Sequence, residues 1–265
     1  MLVLVRGAGD LASAVCHRLM QSGFDVIATE IEQPTMVRRT VSFAEAVYTG
    51  EWEVEGIKGV RIQTVDEAKD QIKRGNLPVL VDPGLKCLKE LSPEAVVDAI
   101  LAKKNLGTHR EMAAVVIGLG PGFYAGKDVH AVVETMRGHY LGRVIYEGEA
   151  TPNTGVPGEV GGYSIKRLVK SPVPGIVKAN KKIGEMVSEG ETVCYVGDVP
   201  VSAQISGVVR GLIKEGLIVK ENMKIGDIDP RCEKQHCFTI SDKARAVAGG
   251  VLEAILHLSG VIKKL

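Results

Sequence analysis

The sequence predicts an α/β fold in which a parallel-sheet domain is followed by a β-rich domain and a C-terminal helix. Three observations carry that expectation. Short apolar runs alternate with helical patterns over the first half, as βαβ units require. From Arg167 the chain changes to short Val/Ile runs broken by glycines. Finally, Ala244, Val247, Ala248, Val251, Ile255 and Leu258 fall at helical spacing. The expected boundaries are 1–150 for the sheet domain, 151–166 for a Pro/Gly-rich linker, 167–235 for the β-rich domain and 236–265 for the helical end.

Composition narrows the function classes. The 33 lysines and arginines nearly balance the 32 aspartates and glutamates, and no basic block stands out. Nucleic acid and anionic membrane are therefore disfavoured as partners. No apolar run approaches membrane-spanning length, and MLVLV is too short for a signal segment, so a cytoplasmic location is expected. The five cysteines form no CxxC pair, which argues against a disulfide framework or structural zinc.

Leu2 to Val5 reads as a strand leading into Arg6-Gly7-Ala8-Gly9-Asp10-Leu11-Ala12, a GxGxxA turn that opens a helix. This context is Rossmann-like: Gly7, Gly9 and Asp10 form the turn, and Glu30, about 20 residues on, stands where a ribose-binding acid would. The plain alternative is glycines that only permit close strand–helix packing. Asp10 departs from the dinucleotide pattern, since a carboxylate there repels a pyrophosphate unless a cation or Arg6 offsets it. Arg38 and Arg39, after the strand-breaking Pro34, could reach a phosphate or carboxylate or form a solvated basic turn. Val65 to Arg74 reads as a polar helix, and Pro78 to Val81 as a buried strand ending at Asp82. Ser92-Pro93-Glu94 carries the signals of a helix start.

The most chemically loaded stretch is 113–139. A buried strand runs into Gly118, Gly120 and Gly122, and a helix is expected over 127–138. Such a turn aims backbone N–H groups at an anion. On that helix His130, Glu134 and Arg137 would share one flank, where they could orient or protonate a bound group or form ordinary surface pairs. Asn153 and Thr154 lie on a Pro/Gly-stiffened loop that could be a linker or could contact ligand. Cys232, His236 and Cys237 offer three soft ligands without a fourth, so no metal site is assigned.

The β-rich region holds an internal repeat. Pro174-Gly175-Ile176-Val177 matches Ser206-Gly207-Val208-Val209, and Gly184-Glu185-Met186-Val187 matches Gly216-Leu217-Ile218-Val219, at one constant offset. The pattern resembles the barrel-sandwich hybrid of biotinyl and lipoyl domains. Those carriers hold their cofactor on a hairpin lysine, but here the hairpin reads Val196-Gly197-Asp198-Val199-Pro200, so no covalent biotin or lipoyl is expected. Ser241 is a cap for the last helix, and Gly249-Gly250 inside it suggests close approach by another backbone.

Taken in chain order, RGAGDLA, VRRTVSFAEAVY, VLVDP, GLGPGF with AGKDVHAVVETMRGHYLGRVI, PNTG and SDKARAVAGGVLEAIL resemble the selenium-dependent molybdenum hydroxylase accessory proteins over nearly the whole chain. The resemblance implies a maturation factor for such a hydroxylase, with the hydroxylase or its cofactor-maturation proteins as partners. It implies no defined reaction. The ligand class left open is a nucleotide or a molybdenum-cofactor-like phosphoester, and Cys237 is a candidate for handling selenium or sulfur. An NAD(P)-dependent oxidoreductase and a non-catalytic adaptor docking the hydroxylase stand as alternatives.

Overall fold

The apolar run Leu2–Arg6 becomes the central strand of a nine-stranded sheet in a computed structural model that describes residues 1–260. The last five positions of the expected helical end lie outside the described residues. One unit comprises Met1–Pro34, Phe43–Asn153 and the chain from Ile240. Along it run β1 (Leu2–Arg6), α1 (Asp10–Gln21), β2 (Asp25–Glu30), α2 (Ala46–Thr49), β3 (Glu51–Val54), β4 (Ile57–Ile62), α3 (Val65–Lys73) and β5 (Leu77–Val81). There follow α4 (Leu88–Leu91), β6 (Ala95–Asp98), β7 (Val115–Leu119), β8 (Tyr124–Ala125), β9 (Ala131–Val133), β10 (Val144–Ile145), β11 (Gly148–Glu149) and α5 (Asp242–Ser259).

The strand order is β10-β9-β7-β6-β1-β2-β5-β4-β3. The inner strands pair in parallel, while β10 and β3 close the edges antiparallel. Strands β1, β5, β6, β7 and β9 are apolar at successive positions because both sheet faces are buried there. Leu4, Ile27, Leu80, Val96, Val116 and Val132 share one core cluster with Ala68 of α3. Against the sheet also pack α1 and α5, which touch each other. Ser241 caps α5, accepting a hydrogen bond from the Ala244 N–H at 3.2 Å. A Cβ on Gly250 would collide with the Gly142 carbonyl oxygen, which is why this helix carries a glycine at mid-length.

Two expected helices are strands. Ala131–Val133, inside the helix expected over 127–138, is β9, with Val132 opposite Gly118 of β7. The chain after Ser92-Pro93-Glu94 is β6, and Ser92 itself ends α4 in the left-handed region with φ 43°. In both segments β-branched valines won against a helical start signal.

The second unit comprises Thr35–Ser42 and Thr154–Thr239. It contains β12 (Leu168–Lys170), β13 (Gly175–Ala179), β14 (Met186–Val187), β15 (Thr192–Val196), β16 (Val199–Ser202), β17 (Gly207–Leu212), β18 (Ile218–Val219) and β19 (Lys224–Asp229). They form two four-stranded sheets, β12-β19-β17-β14 and β16-β15-β13-β18. The repeat explains the exchange: β14 of the first copy pairs with β17 of the second, and β18 of the second with β13 of the first. The excursion Thr35–Ser42 is fastened by Arg38, whose guanidinium donates to the carbonyls of His236 and Thr239, both at 2.9 Å.

The expected class, a Rossmann-like parallel sheet followed by a barrel-sandwich hybrid of biotinyl/lipoyl type, is therefore corrected. The architecture is a large mixed parallel and antiparallel sheet with small antiparallel sheets and a C-terminal helix.

Candidate functional site

The parallel strands deliver their carboxyl ends together: Arg6 from β1, Glu30 from β2, Asp82 just after β5 and Asp98 from β6. The order β7-β6-β1-β2-β5 reverses between β6 and β1, and ligands of open α/β sheets settle at such a switch point. Arg6 fills the floor there. Its Nη1 donates to Asp98 Oδ2 at 3.2 Å and Thr108 Oγ1 at 2.9 Å, and Nη2 donates to the Pro83 carbonyl at 3.3 Å. Thr108 Oγ1 donates to Asp98 Oδ2 at 2.6 Å. Arg6 and Asp98 are both buried, so this is a neutralised ion pair (Arg6 Nε alone has no partner among the described residues) rather than a cation offered to a pyrophosphate.

Above that floor the first glycine turn divides its labour. Gly7, at φ 105°, donates to the Thr29 carbonyl, and a Cβ there would come within 3.1 Å of the Ala99 carbonyl oxygen. Ala8 N–H donates to Glu30 Oε2 at 2.9 Å, and Ile31 N–H to Glu30 Oε1 at 2.8 Å. Glu30 is thus turned onto the loop itself. Burial raises its pKa, and the two N–H donors only partly oppose this. Gly9 is different. It is the N-cap of the twelve-residue α1, no side chain caps it, and a Cβ there would meet nothing within 4 Å among the described residues. Asp10 follows in the first helical turn. An uncapped helix N-terminus beside open space suits an anion.

The second glycine turn is closed by the protein's own atoms. A Cβ on Gly118 would lie 2.5 Å from the Phe123 ring, on Gly120 2.5 Å from Thr135 Oγ1, and on Gly122 2.7 Å from the Lys104 backbone. These glycines make room for packing, and no helix follows them. His130, Glu134 and Arg137 do not share a flank. His130 precedes β9, and its Nδ1 accepts the Val116 N–H at 3.0 Å; burial, then the Arg110 charge, lowers its pKa. Glu134, just past β9, accepts from Met136 N–H, Thr151 N–H and Thr151 Oγ1 at 2.7–2.8 Å. Burial pushes its pKa up, but those donors outweigh burial and hold it below the usual value. Arg137 makes a two-pronged ion pair with Asp242 at 2.6 and 2.9 Å.

Cys237 is fully buried with its pKa raised by burial, and Sγ donates to the Val209 carbonyl, the opposite of an exposed thiolate. Cys232 is exposed, and no group of three metal-ligating side chains that could hold an ion gathers among the described residues. Asn153 and Thr154 are exposed, with Thr154 Oγ1 bonded within its own loop. Sequence reasoning missed Asp98 and Thr108. The available signal was an acid closing an apolar run, AVVD, the same grammar as VLVD at 79–82.

No family model matches the chain. The uncharacterized protein YqeB of Escherichia coli K12 is 52% identical over 257 residues, covering 97% of this chain and 48% of that protein. The chain spans about half the length of this curated relative. Among solved structures, an aspartoacylase family protein from Mesorhizobium loti is similar at 12% identity, covering 86% of this chain and 84% of that one, with a TM-score of 0.27. The ectoine utilization protein EutE (DoeB) from Ruegeria pomeroyi is similar at 11% identity, with the same coverage and TM-score. A succinylglutamate desuccinylase from Silicibacter follows at 13% identity, the same coverage and a TM-score of 0.25. A nine-stranded mixed parallel and antiparallel sheet stands where a Rossmann-like parallel sheet was expected. No helix among the described residues is long and apolar enough to cross a membrane.

Proposed function

We propose that this chain is a cytoplasmic accessory factor in the maturation of a selenium-dependent molybdenum hydroxylase, and that it holds a phosphorylated small ligand at the turn between β1 and α1. The motif series from RGAGDLA to SDKARAVAGGVLEAIL supports the role. The observation that carries the ligand site is Gly9, an uncapped helix N-terminus with open space before it. Glu30, whose pKa burial raises, is the acid beside that turn, with both oxygens accepting backbone N–H groups. The partners are the hydroxylase or its cofactor-maturation proteins.

A non-catalytic adaptor is the competing reading. It is favoured by Glu134, Arg137 and Cys237, each engaged in internal contacts. Gly9→Asp separates the two. Asp suits the extended φ −72°, ψ −170° of an N-cap and would place its own carboxylate where the ligand's anion sits. A strain lacking the native protein and carrying the variant should fold it normally yet lose hydroxylase activity. Native mass spectrometry should show a phosphorylated adduct on the native protein alone. Full hydroxylase activity with Gly9→Asp, and no adduct on either protein, would establish the adaptor instead.

A further inference from the structure

The two sheets of the second unit are built to one plan but carry different loads. The repeat offset maps Gly184 onto Gly216 (216 − 184 = 32), and the two glycines make the same bond. Gly184 N–H donates to the Val209 carbonyl and Gly216 N–H to the Val177 carbonyl, each at 2.8 Å. The Val209 and Val177 N–H groups donate in return to the Glu185 and Leu217 carbonyls, which also correspond. The equivalence therefore holds bond by bond, and what differs is the material lying on each place.

Against β17 packs the helical turn Lys234–Cys237. Cys237 Sγ donates to the Val209 carbonyl, and a Cβ on Gly184 would come within 3.0 Å of the Phe238 ring, so that ring rests on the glycine. Val208 is fully buried there, opposite Met186, which stays 54% exposed. Arg210 is buried and pairs with Asp229 at 3.5 Å. On β13 and β18 the corresponding places are bare. A Cβ on Gly216 would meet nothing within 4 Å among the described residues. Ile176 and Ile218 face each other in register, 56% and 78% exposed. Lys178, the counterpart of Arg210, is exposed, and the counterpart of Asp229 is Gly197. Asp198 and Glu215 are exposed on neighbouring turns, and among the described residues neither forms an ion pair with Lys178. After β15 the chain turns directly into β16, so no counterpart of 230–238 follows it. An exposed apolar pair beside a lysine whose acid is missing matches a protein segment that brings an aromatic ring and a carboxylate.

We infer that the face made by Ile176, Ile218, Gly216 and Lys178 docks a partner protein, through a segment that presents an aromatic side chain and a carboxylate. The segment takes the place that 230–238 fills on the other sheet, and the inference does not depend on the ligand turn at Gly9. The probe is a fluorescently labelled synthetic peptide of residues 229–238, which carries both Asp229 and Phe238. It is titrated with the full chain under reducing conditions at low salt and read by anisotropy. Saturable binding below millimolar concentration is expected. Phe238→Ala in the peptide should weaken binding by about tenfold or more, and Ile218→Asp in the full chain should do the same. Lys178→Glu should weaken it as well, and a peptide bearing Asp229→Lys should restore binding to that variant, a rescue that an unfolded chain could not give. Ile218 and Lys178 are both exposed, so thermal midpoints should stay near the native value. Native affinity in Ile218→Asp, equal binding of the Phe238→Ala peptide, or no saturable binding at millimolar concentration would overturn the inference. A concentration-dependent dimer in light scattering, lost in Ile218→Asp and seen without peptide binding, would overturn it in favour of a second copy of this chain.

Discussion

Two glycine turns written almost alike, GAG after β1 and GLGPG after β7, do opposite things. At the first, Gly7 and Ala8 are tied down by Thr29 and Glu30 while Gly9 faces open space ahead of a helix. At the second, Phe123, Thr135 and Lys104 occupy the volume that each missing side chain leaves, and an extended chain follows. A glycine turn is an anion site only where nothing else has claimed the space. What claims it is decided by residues distant in sequence.

The largest test of this contrast lies beneath the first turn. Arg6→Ala leaves Asp98 buried without its cation and should cost about 3–5 kcal/mol, read as a drop in urea midpoint. Next, Gly122→Ala must hold φ 108° and push into the Lys104 backbone, and should destabilise by about 2–4 kcal/mol. Gly9→Ala meets no neighbour and should change the same midpoint by less than about 1 kcal/mol. If both glycine replacements cost the same, the distinction between a filled turn and an open one is wrong.

The acids beside the two turns sharpen the comparison through pH. Glu134 has a folded pKa below its ordinary 4.5, so its stabilisation is present above that value and is lost as pH falls through the folded pKa. Glu134→Gln should therefore cost about 1–3 kcal/mol at neutral pH and flatten the loss of stability on acidification. Glu30 has a raised folded pKa, which gives the opposite sign. Its charged form burdens the fold above that pKa, and the burden lifts as pH falls toward 4.5. Denaturation curves of Glu30→Gln between neutral and mildly acid pH should lack this gain. It is the smallest effect expected, because a Gln oxygen still accepts the Ala8 N–H.

Much of the frame was legible because local signals and packing agree there. The strand at Leu2, the cap at Ser241 and the repeat that becomes β13 and β17 all read directly. Elsewhere a local signal pointed the wrong way. The spacing of Val129, Val132, Val133 and Met136 imitates a helix, but pairing with β7 takes Ala131–Val133 as strand and places His130 and Glu134 beyond opposite ends of it. Ser92-Pro93-Glu94 imitates a helix start in the same way, with the β6 valines prevailing. The Arg6–Asp98 pair joins residues 92 positions apart, beyond the reach of any periodicity. The volumes behind Gly118, Gly120 and Gly122 are filled by side chains and backbone whose arrival only the tertiary fold reveals.

The exchange of β14 and β18 between the repeats makes the second unit a clasp: each half carries an edge that only the other half fits. A chain cut at Gly197-Asp198, the turn between β15 and β16, would give two fragments with complementary vacancies, able to find each other in solution. At high concentration the same vacancies admit a neighbouring molecule's half as readily as the chain's own, so the repeat that completes this unit also sets a route to interlocked dimers.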